Sequence, residues 1–208
     1  ATPTQDLRVP SDLDAKPGVD AGLIQPDEMP TEGDLMPANG ADLTDAVPAG
    51  RARAGVVTED AERLRGPEAN CRIGDFRLDN HVIHTCIQGA TTFSQFSFNG
   101  GNIVDAHRAD KPGTDSFREN VISPGLGEVF VDSVGVLKDG SDGGPAIVRV
   151  IGRSGGSRII QGVLPNSFIP DPFIVTTEYQ LKPDSDTVDV KSWFQLNGPD
   201  SGLSLIHI

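Results

Sequence analysis

None of the eleven aromatic residues in this chain lies before Phe76 or after Phe194. Aromatic rings bring the largest apolar areas a single residue can bury, so a core is to be sought inside that interval. The first 50 residues instead hold ten acidic residues against two basic ones, Arg8 and Lys16, with seven Pro and five Gly. Such a segment cannot offset the roughly 1–2 kcal/mol per residue that ordering the backbone costs. Residues 1–55 therefore read as a disordered acidic linker, residues 56–65 as a short helix or further linker, and residues 66–202 as the folded domain.

From Gly66 onward apolar residues alternate with polar ones, and Gly, Pro, Asn and Asp punctuate the runs, which is the pattern of antiparallel strands. A first hairpin spans Cys71 to Cys86, with its turn read at Asp79-Asn80. Phe93, Phe96 and Phe98 lead into Gly100-Gly101, and Asn102 to Ala106 reads as a short strand followed by a polar loop from His107 to Asn120. The clearest hairpin joins Glu128–Leu137, one long or bulged strand, to Pro145–Gly152 through the turn Lys138–Gly144. Ser157 to Leu164, Phe173 to Leu181 and Thr187 to Leu196 complete about eight strands, with one short helix at most, near Thr58 to Arg65. With 24 Gly and 16 Pro in 208 residues the composition argues against a helical bundle. The expected fold class is all-β, an antiparallel β-sandwich preceded by the acidic linker.

A net charge of −13 repels phosphate backbones and argues against a nucleic-acid partner. No run of about 18 apolar residues is present to make a membrane-spanning helix. The chain carries no nucleophile elbow, phosphate loop, dinucleotide fingerprint or metalloprotease helix, so no cofactor is expected. Asp139-Gly140-Ser141-Asp142-Gly143-Gly144 superficially resembles a calcium loop, but it lacks the distal bidentate Glu and reads as a tight turn. His81 and His84 fall on opposite faces of one strand, and no metal-ligand spacing accompanies the cysteines, so no metal is expected. The acid–base candidates are Asp105, His107 and Glu178. Tyr179 and Trp193 are the candidate sugar-stacking rings, against a core role for the single Trp.

Cys71 and Cys86 are the only cysteines; a disulfide between them and two buried free thiols both fit the hairpin. A long acidic tether ahead of a β-rich domain suits an exported protein, periplasmic, outer-membrane-tethered or extracellular. At the other end Leu203 to Ile208 makes no sense as a completed strand and looks like the translation of a library-preparation adapter. On that reading the natural chain departs near Gly202, His207 is foreign to it, and the truncated sandwich is marginal because strand edges are left unpaired.

A set of turns and strand ends carries a resemblance over residues 66–198: Gly66-Pro67, Gly74-Asp75-Phe76, Gly100 to Asp105, Asp139 to Ala146, and Thr177 to Leu181 with Pro183 and Asn197. In these the chain resembles the amino-terminal β-sandwich of large exported proteins of myxobacteria and their relatives, a mutarotase-like supersandwich that in some precedes a PHP-type metallohydrolase domain. The matching motifs are structural, and the resemblance transfers no catalytic residue. It implies an accessory module for scaffolding or glycan binding, whose partners are glycans or neighbouring domains of the same chain. The alternatives are a carbohydrate-active, mutarotase-like enzyme fragment using Asp105, His107 and Glu178, and an adhesion or protein-interaction module.

Overall fold

The computed structural model describes residues 39–90, 99–114, 117–123, 127–156, 173–196 and 203–207. Among these, nine strands form two antiparallel sheets. The first sheet runs in the order β1 (Ala52–Val56), β2 (Phe76–Asn80), β3 (Ile83–Ile87) and β4 (Ile103–Arg108). The second runs β5 (Gly127–Lys138), β6 (Ala146–Gly156), β7 (Phe173–Leu181), β8 (Val188–Leu196) and β9 (Leu203–His207). Each sheet thus keeps sequence order, as short connections between antiparallel neighbours favour.

The sheets face each other across one apolar core. Ala52, Ala54, Leu78, Ile87 and Ile103 of the first sheet pack with Val136, Val148, Val150, Tyr179, Leu181 and Val190 of the second. Along β1, β2, β7 and β8 alternate residues point inward, as the pleat requires. A close approach at the core's edge explains Gly101: with φ near 75°, a Cβ there would sit 2.6 Å from Val150 Cγ1. A second cluster, Leu43, Val57, Leu64, Cys71, Cys86 and Val104, seals the opposite face of the first sheet.

Several expectations are revised. β1 falls inside the stretch read as linker, and its outer edge is closed by Asn39–Ala41, through Ala41 N–H to Ala54 O and Val56 N–H to Asn39 O, each 2.8 Å, and by Ala54 N–H to Asp139 O. Ordered structure therefore begins ahead of the boundaries read at 55 and 66, while residues 1–38 of that linker lie outside the described residues. The helix expected over Thr58–Arg65 is a single 3-10 turn, Asp60–Glu62. The β2–β3 turn centres on His81-Val82, since Leu78 pairs with Thr85 and not with His81. Asn80 enforces this: its Oδ1 accepts the N–H groups of Val82 and Ile83, both at 2.8 Å. β6 continues to Gly156, past the end read at Gly152. The Phe93, Phe96 and Phe98 run and the Ser157–Leu164 strand lie outside the described residues. Leu203 to His207 forms β9 against β8, which corrects the reading that it makes no strand; a short apolar segment can pair with an open edge whatever its origin.

Candidate functional site

The acid–base candidates are split between the two sheets. Asp105, on β4, is wholly buried, and its carboxylate accepts the Asn70 N–H at 2.7 and 2.9 Å together with the Cys71 N–H. Glu178, on β7, lies directly across from Arg149 of β6 and takes both Nε at 2.9 Å and Nη2 at 2.6 Å on one oxygen. Both side chains of that ion pair are nearly buried. The carboxylates thus fasten structure on separate sheets, and the structure does not bring them together around a shared groove.

Both ring candidates are buried. Tyr179 has no exposed surface and its hydroxyl donates to Gly101 O at 2.9 Å, while burial pushes the phenol far above its ordinary range. Trp193 points to the other face of the second sheet yet is only 7% exposed. Neither ring offers the open face that stacking on a sugar needs.

Register assembles a different group, on the face of the first sheet turned away from the core. Arg53 pairs with Asp79, Asp79 with His84, and His84 with His107, so one residue from each of β1 to β4 falls in a row. Arg77 sits one step along β2 on the same face. Asp79 is fully buried and receives Arg53 Nη2 at 3.2 Å and Arg77 Nη2 at 2.6 Å. The two arginines also tie down the covering segments: Arg53 donates to the Asp42 and Leu43 carbonyls at 3.1 and 2.9 Å, and Arg77 to Glu62 O at 2.7 Å. Arg63 Nε reaches Cys71 O at 2.6 Å. Cys71 and Cys86 are joined in a disulfide on this side; Cys71 lies in the covering segment and not in a strand, and Cys86 pairs with Arg77.

His107 therefore belongs to a strand, not to the head of a loop, and its ring lies 5.3 Å from that of His84, centroid to centroid. His84 Nδ1 is 3.4 Å from Arg77 Nη2. A guanidinium only donates, so Nδ1 is the acceptor and neutral His84 carries its proton on Nε2. Burial holds His84 below the ordinary imidazole range; Asp79 opposes this, and Arg77, His107 and Arg53 reinforce it. The two imidazoles, with Arg63, Arg65 and Arg77, line an open cleft of about 170 Å³. Glu62 turns its carboxylate elsewhere, to Thr58 N–H at 2.6 Å and Glu59 N–H at 3.2 Å. Burial would raise that carboxyl, but its bonds to Thr58 and Glu59 hold it below its ordinary value.

No family model, curated protein or solved structure matches the chain.

Among the described residues, the groups that could ligate a cation are already engaged. Cys71, Asp75 and Cys86 converge, but the two sulfurs are bonded to each other and Asp75 accepts Arg72 N–H at 2.7 Å and Gly89 N–H at 2.8 Å. At the His84–His107 pair one ring nitrogen already accepts from a guanidinium, and three arginines repel a dication. The Asp139–Gly144 loop is a turn: Asp139 Oδ1 accepts Ser141 N–H at 2.9 Å and Asp142 Oδ1 accepts Gly144 N–H at 2.8 Å. The sequence reading missed the His84–His107 pair because it placed His107 in a loop, and facing across strands is visible only once register is known.

Proposed function

We propose that the chain is a non-catalytic accessory β-sandwich of an exported multidomain protein, serving in scaffolding or adhesion. The observation that carries this reading is the engagement of Asp105 and Glu178 in buried structural bonds on different sheets. Burial of Tyr179 and Trp193 weighs against sugar stacking, and so against the glycan-binding form of the module and the mutarotase-like enzyme. The Cys71–Cys86 disulfide supports export, since such bonds persist in oxidising compartments. The resemblance to exported mutarotase-like sandwiches enters through its turns: Gly140 and Gly143, both of positive φ, hold the Asp139–Gly144 hairpin loop that carries part of it.

The test is polarimetric. With freshly dissolved aldohexose anomers the protein should leave the rate of mutarotation at its buffer value, and a glycan array should show no saturable binding. Acceleration that disappears in Glu178→Gln while thermal stability is retained would overturn the reading in favour of an enzyme.

A further inference from the structure

We propose that the cleft between His84, His107, Arg63, Arg65 and Arg77 binds a small free oxyanion, of the phosphate or sulfate type. Its lining brings together three guanidinium groups and two imidazoles and contains no carboxylate, in a chain whose net charge is −13. The cleft thus reverses the overall sign of the chain locally, and a local excess of cationic groups attracts anions. At about 170 Å³ the cleft is several times the ~30 Å³ share of a liquid water, which suffices for one tetrahedral oxyanion.

The donors are held in place before any ligand arrives. Arg77 is fixed by Glu62 O and Asp79, and Arg63 by Cys71 O and by Asp60 at 2.8 Å. Arg65 reaches Asp60 through Nη2 alone, to a side-chain oxygen at 2.5 Å and the backbone carbonyl at 2.8 Å. A guanidinium carries five N–H donors in a rigid fork, so Arg65 retains its Nε and Nη1 donors for a ligand. His84 adds Nε2–H, because its Nδ1 is spent on Arg77. Preorganised charged donors of this kind suit an oxyanion better than any cation or neutral ligand.

Charge balance also sets a pH signature. The groups facing His84 are Asp79 and Arg77 on β2, Arg53 on β1, His107 on β4, and Arg63 and Arg65 from the covering segment. Asp79 is shared between Arg53 and Arg77, and Asp60 between Arg63 and Arg65, which leaves a modest positive surplus that a protonated imidazole enlarges. A bound oxyanion of fixed charge, such as sulfate, favours protonated His84 and, by reciprocity, binds more tightly as pH falls.

The experiment follows the imidazole proton resonances of the full chain by NMR as sodium phosphate replaces sodium chloride at constant ionic strength. Shifts at His84 and His107 should saturate, with no response at His81, which lies in the β2–β3 turn beside Asp184. Sulfate, whose charge is constant over the range, should raise the His84 titration midpoint. Arg65→Gln, a change at a largely exposed side chain, should weaken binding by about tenfold, the equivalent of one lost charge-assisted bond. Sulfate should compete with phosphate. Shifts still linear at about 50 mM, far weaker than such a site should bind, an equal response at His81, or the same affinity in Arg65→Gln would each overturn the proposal.

Discussion

Asp79 is the residue on which the outer face of the first sheet depends most heavily. Replacing it by Asn keeps its volume and one acceptor oxygen but removes the only charge between two guanidinium groups. Arg53 and Arg77 are 12% and 8% exposed, so neither can recover full hydration when the carboxylate is gone. Breaking a buried pair by removing one partner costs about 3–5 kcal/mol, because an uncompensated charge stays behind. The retained Asn acceptor places Asp79→Asn near the lower end, about 3 kcal/mol. For a chain of this size each kcal/mol lowers the melting temperature by roughly 2–4 °C, so a fall of about 6–12 °C is expected by calorimetry. The double variant Asp79→Asn/Arg77→Met removes both ends of the shorter contact and should be less damaged than the single variant by at least about 1 kcal/mol. A single variant within about 1 kcal/mol of the parent, or a strictly additive double variant, would refute the view that this row is held by charge pairing in a nearly dry setting.

Other perturbations probe separate parts of the structure. Cys71→Ser/Cys86→Ser opens a bridge spanning a sequence separation of 15 and should cost about 3 kcal/mol in urea unfolding, the entropy of closing such a loop; an unchanged midpoint would contradict this. Tyr179→Phe removes the hydroxyl from Gly101 O and should cost about 1–3 kcal/mol, since it leaves that carbonyl without its buried donor. Burial keeps His84 neutral in the fold, so below its unfolded value near 6.5 the unfolded chain takes up the proton first. Stability is therefore complete above that pH and declines as pH falls below it; in phosphate-free buffer His84→Gln should flatten the fall between pH 7.5 and 5, and an unaltered slope would speak against burial as the cause.

The all-β class and much of the second sheet were legible because their strands carry large apolar residues with period two. β7 spans Phe173–Leu181, as the pattern indicates, and Glu128–Leu137 becomes a strand bulged near Val131 and Val136. β1 was hidden because its inward residues are Ala52 and Ala54, too small to register as a hydrophobic run, although the alternation Arg51-Ala52-Arg53-Ala54 is there to be read. The first hairpin was misplaced by two residues on each strand, a shift that keeps every side chain on its proper face. That is why the sandwich survives the error while the partners of Cys86 and His84 do not. Glu178, Asp105 and Tyr179 were singled out by residue type, and type alone does not reveal that a carboxylate or phenol is already engaged. The bonds that engage them come from Arg149, from the Asn70 and Cys71 amides and from Gly101, distant in sequence and joined only by the fold.

The proposal is that these carboxylates fasten structure, each on its own sheet, and do no chemistry. It is tested most directly by measuring urea unfolding of Glu178→Gln and Asp105→Asn beside the parent, with mutarotation recorded on the same samples. The account predicts that Glu178→Gln loses about 3–5 kcal/mol, because Arg149 is left charged and buried, and Asp105→Asn about 1–3 kcal/mol, with all three proteins at the buffer rate. Variants as stable as the parent that have lost a parental activity would contradict it.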